Sequence, residues 1–97
     1  MTDLKTLFRI AEMDDATPSI DLHGKTVEEA RQDIDYFLSD LLYRNIRIGK
    51  IIHGKGMDRL SRTIPDFLRA HDAVEAIHSP GGTYETGAVI YVSVNID

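Results

Sequence analysis

The sequence predicts an α/β fold: a two-layer βαβαββ sandwich, with a mixed four-stranded sheet, two helices on one face and a short N-terminal helix. Three observations carry this. Ile20-Asp21-Leu22-His23-Gly24 and Ile46 to Gly54 are apolar runs that each stop on His-Gly, and the residues between them have helical periodicity. Strand, helix, strand implies a right-handed crossover and parallel pairing. Val74–His78 and Ala88–Asn95 are joined by a loop too short for a crossover helix, so they are expected to pair antiparallel.

Each element has its own signal. Leu4, Leu7, Phe8 and Ala11 have helical spacing, with Thr2 or Asp3 as cap. Residues 1–18 are read as this helix and a polar linker, and residues 19–97 as the main domain. In the first strand Ile20 and Leu22 fall on one face, Asp21 and His23 on the other. Thr26 with Glu29 is a capping box, opening a helix with Val27, Ala30, Ile34, Phe37, Leu38, Leu41 and Leu42 on one face. Asn45 is a left-handed stop. Ile46 to His53 is apolar on both faces, as for an interior strand. Met57, Leu60, Ile64, Phe67 and Leu68 mark a second helix, which Pro65 either kinks or restarts with Thr63 and Asp66 as a new cap pair. In the last strand Ala88, Ile90, Val92 and Val94 alternate against Val89, Tyr91, Ser93 and Asn95.

Composition narrows the chemistry. The 97 residues include no cysteine, which removes disulfides, thiolate metal sites and cysteine nucleophiles. No apolar run approaches the length of a membrane span, so no membrane partner is expected. The acidic N-terminal stretch has no hydrophobic signal region, and a cytoplasmic location is expected. The net charge of -5 disfavours nucleic acid, but its distribution is uneven. Arg44, Arg47, Lys50, Lys55, Arg59, Arg62 and Arg69 crowd the second glycine motif, either as an anion-attracting patch or as a solvated helix face.

Parallel pairing places both His-Gly corners at the C-terminal edge of the sheet, where open α/β sheets bind ligands. There Asp21 can fix the tautomer of His23 or itself accept a proton. Gly54-Lys55-Gly56 before a helix can cradle phosphate: glycines admit a close anion, free N–H groups face it, and Lys55 adds charge. The same residues also read as a plain strand-to-helix turn, and Asp21 with His23 as a hydrogen bond serving the first turn. Asp21, His23 and His53 are a ligand set for a divalent metal, held as the lesser alternative to acid–base catalysis without cofactor, in which His23 or His53 moves the proton and Asp21 orients or assists. His71 and His78 have no glycine corner; His71 suits a helix C-terminus. Tyr36, Tyr43, Tyr84 and Tyr91 are candidates for stacking bases, Tyr84 the best placed, with surface packing as the simpler reading.

The motifs Asp21-Leu22-His23-Gly24 and His53-Gly54-Lys55-Gly56, with Gly81-Gly82 and the β-rich end from Gly87 to Val94, resemble the Smr (small MutS-related) domain family. The resemblance implies a fold similar to the C-terminal domain of translation initiation factor three, and a nucleic-acid-binding endonuclease that nicks DNA or cleaves RNA. It implies Asp21 and His23 as the catalytic pair, with His53, Gly54 and Gly56 as the second wall. Gly24, Lys25, Lys55, Arg59, Gly81 and Gly82 are further candidates for phosphate contact. Residues Thr83 to Thr86 lengthen the third motif relative to the family pattern. The short N-terminus suggests a stand-alone member. A non-catalytic module docking on nucleic acid or a ribosome is the alternative, and a protein partner held by the Leu4, Leu7 and Phe8 stripe is a third reading. Oligomeric state is left open.

Overall fold

The computed structural model describes residues 3–54, 59–80 and 89–96, the side chains of 59–61 excepted. In chain order the elements are α1 (Leu4–Glu12), β1 (Ser19–Asp21), α2 (Val27–Tyr43), β2 (Ile48–Ile52), α3 (Arg59–Ala70), β3 (Val74–His78) and β4 (Val89–Val94). The sheet order is β1-β2-β4-β3. β1 and β2 are parallel, and β4 is antiparallel to both β2 and β3. The expected mixed sheet is therefore observed.

The alternation in the strands decides what each face meets. Ile51, Ile90, Val92 and Val94 are buried with Leu22 against Ile34, Leu38 and Leu41 of α2 and Ile64 and Leu68 of α3. The opposite face holds Ile48 and Tyr91, and α1 covers it with Phe8 and Ala11. The Leu4, Leu7 and Phe8 stripe is thus spent on the domain's own sheet, with Phe8 buried and Leu4 and Leu7 packed beside it. His78 stacks on Phe8 with ring centroids 5.3 Å apart, and its Nε2 lies 3.6 Å from Glu12 Oε2. Burial, with Glu12 nearby, pushes the Tyr91 phenol above its ordinary value of 10.0. Folding thus favours the neutral phenol: its contribution is complete below about pH 10 and fades as pH rises through the higher folded value. Tyr91→Phe should flatten the fall of Tm above that pH.

Local signals explain the boundaries. The Asp3 carboxylate accepts from Thr6 N–H at 2.8 Å and caps α1, a bond that holds its pKa below the usual range. At the start of α2 both halves of the capping box form: Glu29 N–H donates to Thr26 Oγ1 at 3.1 Å, and Thr26 N–H donates to Glu29 Oε1 at 2.9 Å. Thr26→Ala should cost about 0.5–2 kcal/mol, read as a lower midpoint in denaturant unfolding at constant slope. Asn45 takes φ 57°, the expected left-handed stop. Gly49 admits α2 to the sheet: a Cβ there would lie 2.6 Å from the end of the Phe37 ring.

One open alternative is decided and two expectations are corrected. α3 is helical throughout Arg59–Ala70 with Pro65 inside it, so it does not restart at Thr63. Leu42 is 39% exposed, because it sits at the margin of the buried stripe next to Leu41. β2 begins at Ile48; Ile46 joins the core from the preceding turn, its N–H bonded to Leu41 O. β3 forms as expected, with a register shift between Val74 and Ala76.

Candidate functional site

β1 is in register with β2, Asp21 opposite Ile52, so the two strands end together. Leu22 N–H extends the pairing by donating to Ile52 O. Leu22 is fully buried, and this anchors the chain so that its neighbours Asp21 and His23 must point outward. The first corner then turns on Gly24 at φ +82° and the second on Gly54 at φ +89°. Both need the left-handed region that glycine adopts without strain. The corners touch: a side chain on Gly54 would bring its Cβ to 3.1 Å from His23 Cβ.

Asp21 and His23 act as one unit. His23 N–H donates to Asp21 Oδ1 at 3.0 Å, and His23 Nδ1 lies 3.5 Å from the same oxygen. Their side chains are 57% and 74% exposed, so solvent reaches both. With Nδ1 turned to the carboxylate, Nε2 is the nitrogen left for chemistry. His53 differs: it is only 3% exposed and forms the inner wall of the second corner. Among the described residues no group of three His, Asp or Glu side chains is gathered as a metal site, so Asp21, His23 and His53 do not converge as ligands.

Lys25 forms a close ion pair with Asp33 on α2, the bond that chiefly raises its pKa. Much of the basic cluster is likewise engaged. Arg47 grips Glu75 through both Nε and Nη2, Arg44 pairs with Asp40 at 3.1 Å, and Arg69 lies 3.5 Å from Asp66. Lys55, Gly56, Gly81, Gly82 and Tyr84 lie outside the described residues, as does the side chain of Arg59. His71 is structural: its Nδ1 accepts from Ala73 N–H at 3.1 Å, and its Nε2 sits 2.8 Å from Asp35 Oδ1, tying α3 to α2.

Sequence reasoning missed a cavity of about 560 Å³ beside β1, lined by Asp21 and Lys25 from the first corner, by Asp33, Tyr36 and Asp40 from α2 and by its C-cap Arg44. The signal was present as Tyr36, Asp40 and Arg44 at four-residue intervals, one row on a helix surface.

These features define an α/β domain whose candidate site lies at the C-terminal ends of two parallel strands. The Smr domain profile matches residues 20–95, and the chain belongs to the Smr domain family. It is 41% identical over 69 residues, 71% of its length, to Endonuclease MutS2 of Caldicellulosiruptor saccharolyticus, but spans only 8% of that protein. It is 30% identical over 78 residues to the ribosome rescue factor SmrB of Aeromonas hydrophila, covering 80% of this chain and 45% of that one. The Smr domain of Thermus thermophilus MutS2 superposes with a TM-score of 0.75 at 26% identity, over 82% of this chain and all of that domain. YdaL from Escherichia coli, a stand-alone small MutS-related protein, shares the fold with a TM-score of 0.74 at 23% identity, over 99% of this chain and 79% of that chain. Among the described residues no helix is long and apolar enough to cross a membrane.

Proposed function

We propose that this domain binds nucleic acid and cleaves its phosphodiester backbone, with single-stranded RNA as the preferred substrate. The observation that carries the reading is the juxtaposition of the corners, with the exposed Asp21–His23 pair packed against Gly54. The endonuclease and ribosome rescue names of the relatives agree with it. His23 Nε2 takes the proton from the ribose 2′-hydroxyl while Asp21 holds the opposite nitrogen and favours the imidazolium that forms. The 2′-oxygen attacks phosphorus and the bond to the 5′-oxygen breaks. The leaving oxygen takes a proton from water, which the open site admits. The products are a 2′,3′-cyclic phosphate and a 5′-hydroxyl. Gly54 leaves room for the phosphate at the second corner, and the following Lys55 supplies charge. His53 holds that corner from inside and is a positioning residue.

The scheme uses side chains of this chain alone. DNA nicking by the same corner would call on a metal to generate the nucleophile, with Asp21 as the ligand. Cleavage of labelled RNA and of supercoiled plasmid, each with and without EDTA, separates the two. Metal-independent RNA cleavage is the expected result; plasmid nicking that requires a divalent ion would overturn it.

A second reading, a docking module without cleavage on nucleic acid or a ribosome, is favoured by the ribosome rescue name of one relative, and one observation weighs against tight binding in either reading. The arginines Arg44, Arg47 and Arg69 are paired with acids, on a chain of net charge -5. Intrinsic affinity is then expected at or below the non-specific range of roughly 10⁻⁴–10⁻⁶ M at physiological salt, so a larger partner would deliver the domain to its substrate.

A further inference from the structure

The cavity beside β1 is not explained by acid–base chemistry. It lies along the edge of the sheet, since among the described residues β1 pairs only with β2. Its volume, about 560 Å³, is that of a small-molecule pocket. It is continuous with the candidate site, because Asp21 and Lys25 belong both to the first corner and to its lining. A ligand that extends beyond the corner has this cavity beside it.

The lining selects what that part is. Asp21, Asp33 and Asp40 face only Lys25 and Arg44 across it, and both cations are already paired, with Asp33 and Asp40. A phosphate is disfavoured among these carboxylates. A neutral group that donates hydrogen bonds is favoured, because an ionised carboxylate only accepts them. The bonds to Lys25 and Arg44 use Oδ2 of each aspartate, leaving the second oxygen of each as an acceptor. Tyr36 adds a flat apolar surface: its side chain lines the cavity, yet the residue is 78% exposed. An aromatic face beside hydrogen-bond acceptors suits a splayed-out base, stacked on the ring and read along its edge.

We propose that this cavity is a nucleobase subsite: it takes an unpaired base of the bound strand, stacked on Tyr36, with the base's exocyclic amino group donating to Asp40 or Asp33. The inference rests on the nucleic-acid reading above and sharpens it. The substrate must be single-stranded at this position, because a paired base cannot enter. Cytosine is preferred to uracil: the cytosine amino group meets the carboxylate as a donor, whereas uracil places a carbonyl oxygen at the same position.

The test is fluorescence anisotropy with short labelled 2′-O-methyl oligonucleotides, one of cytidine and one of uridine, which resist 2′-hydroxyl attack. The native chain is expected to bind the cytidine strand more tightly. Tyr36→Ala should weaken that binding roughly 5- to 150-fold, the range for loss of one aromatic stacking platform. The salt dependence should stay the same, because no phosphate contact is lost. Tyr36→Phe should keep the affinity, because the ring is retained. Tyr43→Ala is the control: this tyrosine is on the same helix, 90% exposed and outside the cavity. The double variant Asp33→Ala/Asp40→Ala should erase the cytidine preference, because both candidate acceptors are then removed. Unchanged, salt-sensitive binding by Tyr36→Ala, or equal affinity of the native chain for the two strands, would overturn the subsite and leave the cleavage reading intact. No binding of either strand by the native chain would overturn the nucleic-acid reading and the subsite with it.

Discussion

His23→Ala is expected to lower the single-turnover rate of RNA cleavage by roughly 10²–10⁴-fold, the usual contribution of a positioned general base. The side chain is 74% exposed, and its contact with Asp21 lies at a solvent-facing turn, so the fold should survive with little change in Tm. Asp21→Asn should give a smaller loss, because an amide can still accept the His23 N–H bond but no longer favours the imidazolium. The two substitutions act on one unit, so the double variant should lose about as much as His23→Ala alone rather than the product of the separate losses. A loss in the double variant equal to that product would mean that Asp21 works independently of His23, as a metal ligand would.

The second large effect is on stability. Leu38 is fully buried on α2 among the residues that join the sheet to α2 and α3. Leu38→Ala removes buried carbons and leaves a cavity, at a cost of about 2–5 kcal/mol. For a domain of this length each kcal/mol moves Tm by about 4–8 °C, so a fall of about 8 °C or more is expected in calorimetry. The same helix carries Tyr36 and Asp40, with Arg44 at its C-cap, one face holding the core and the other lining the cavity. Binding by this variant should therefore fail at a lower temperature than in the native chain, together with the fold.

The legible part of the molecule was whatever a short-range pattern encodes. Alternation in Val89–Val94 gave the two faces of the central strand, and Thr26 with Glu29 gave the start of α2 to the residue. The two His-Gly corners could be placed together because a parallel pair with one crossover helix leaves few other arrangements. What was not legible depends on distant partners. The basic residues around the second corner looked like a field for phosphate, but Arg47 meets Glu75 only because β2 and β3 lie in one sheet. Nothing within the motif shows that His53 is buried and His23 open, although both precede a glycine. Nor does local spacing reveal that Phe8 of α1 finds His78 of β3 across the sheet. Of the two readings at Pro65, the restart is excluded because a proline removes one donor and the packed face of Ile64 and Leu68 keeps the helix together around it.

The central claim is that the Asp21–His23 pair and the second corner form one metal-independent cleaving site. The most direct test is the chemistry of the new ends when the native chain is incubated with end-labelled single-stranded RNA in EDTA. The account predicts cleavage that leaves a 2′,3′-cyclic phosphate and a 5′-hydroxyl, absent with the Asp21→Ala/His23→Ala double variant. Intact RNA under conditions where salt-sensitive binding is retained would contradict it and establish the domain as a docking module.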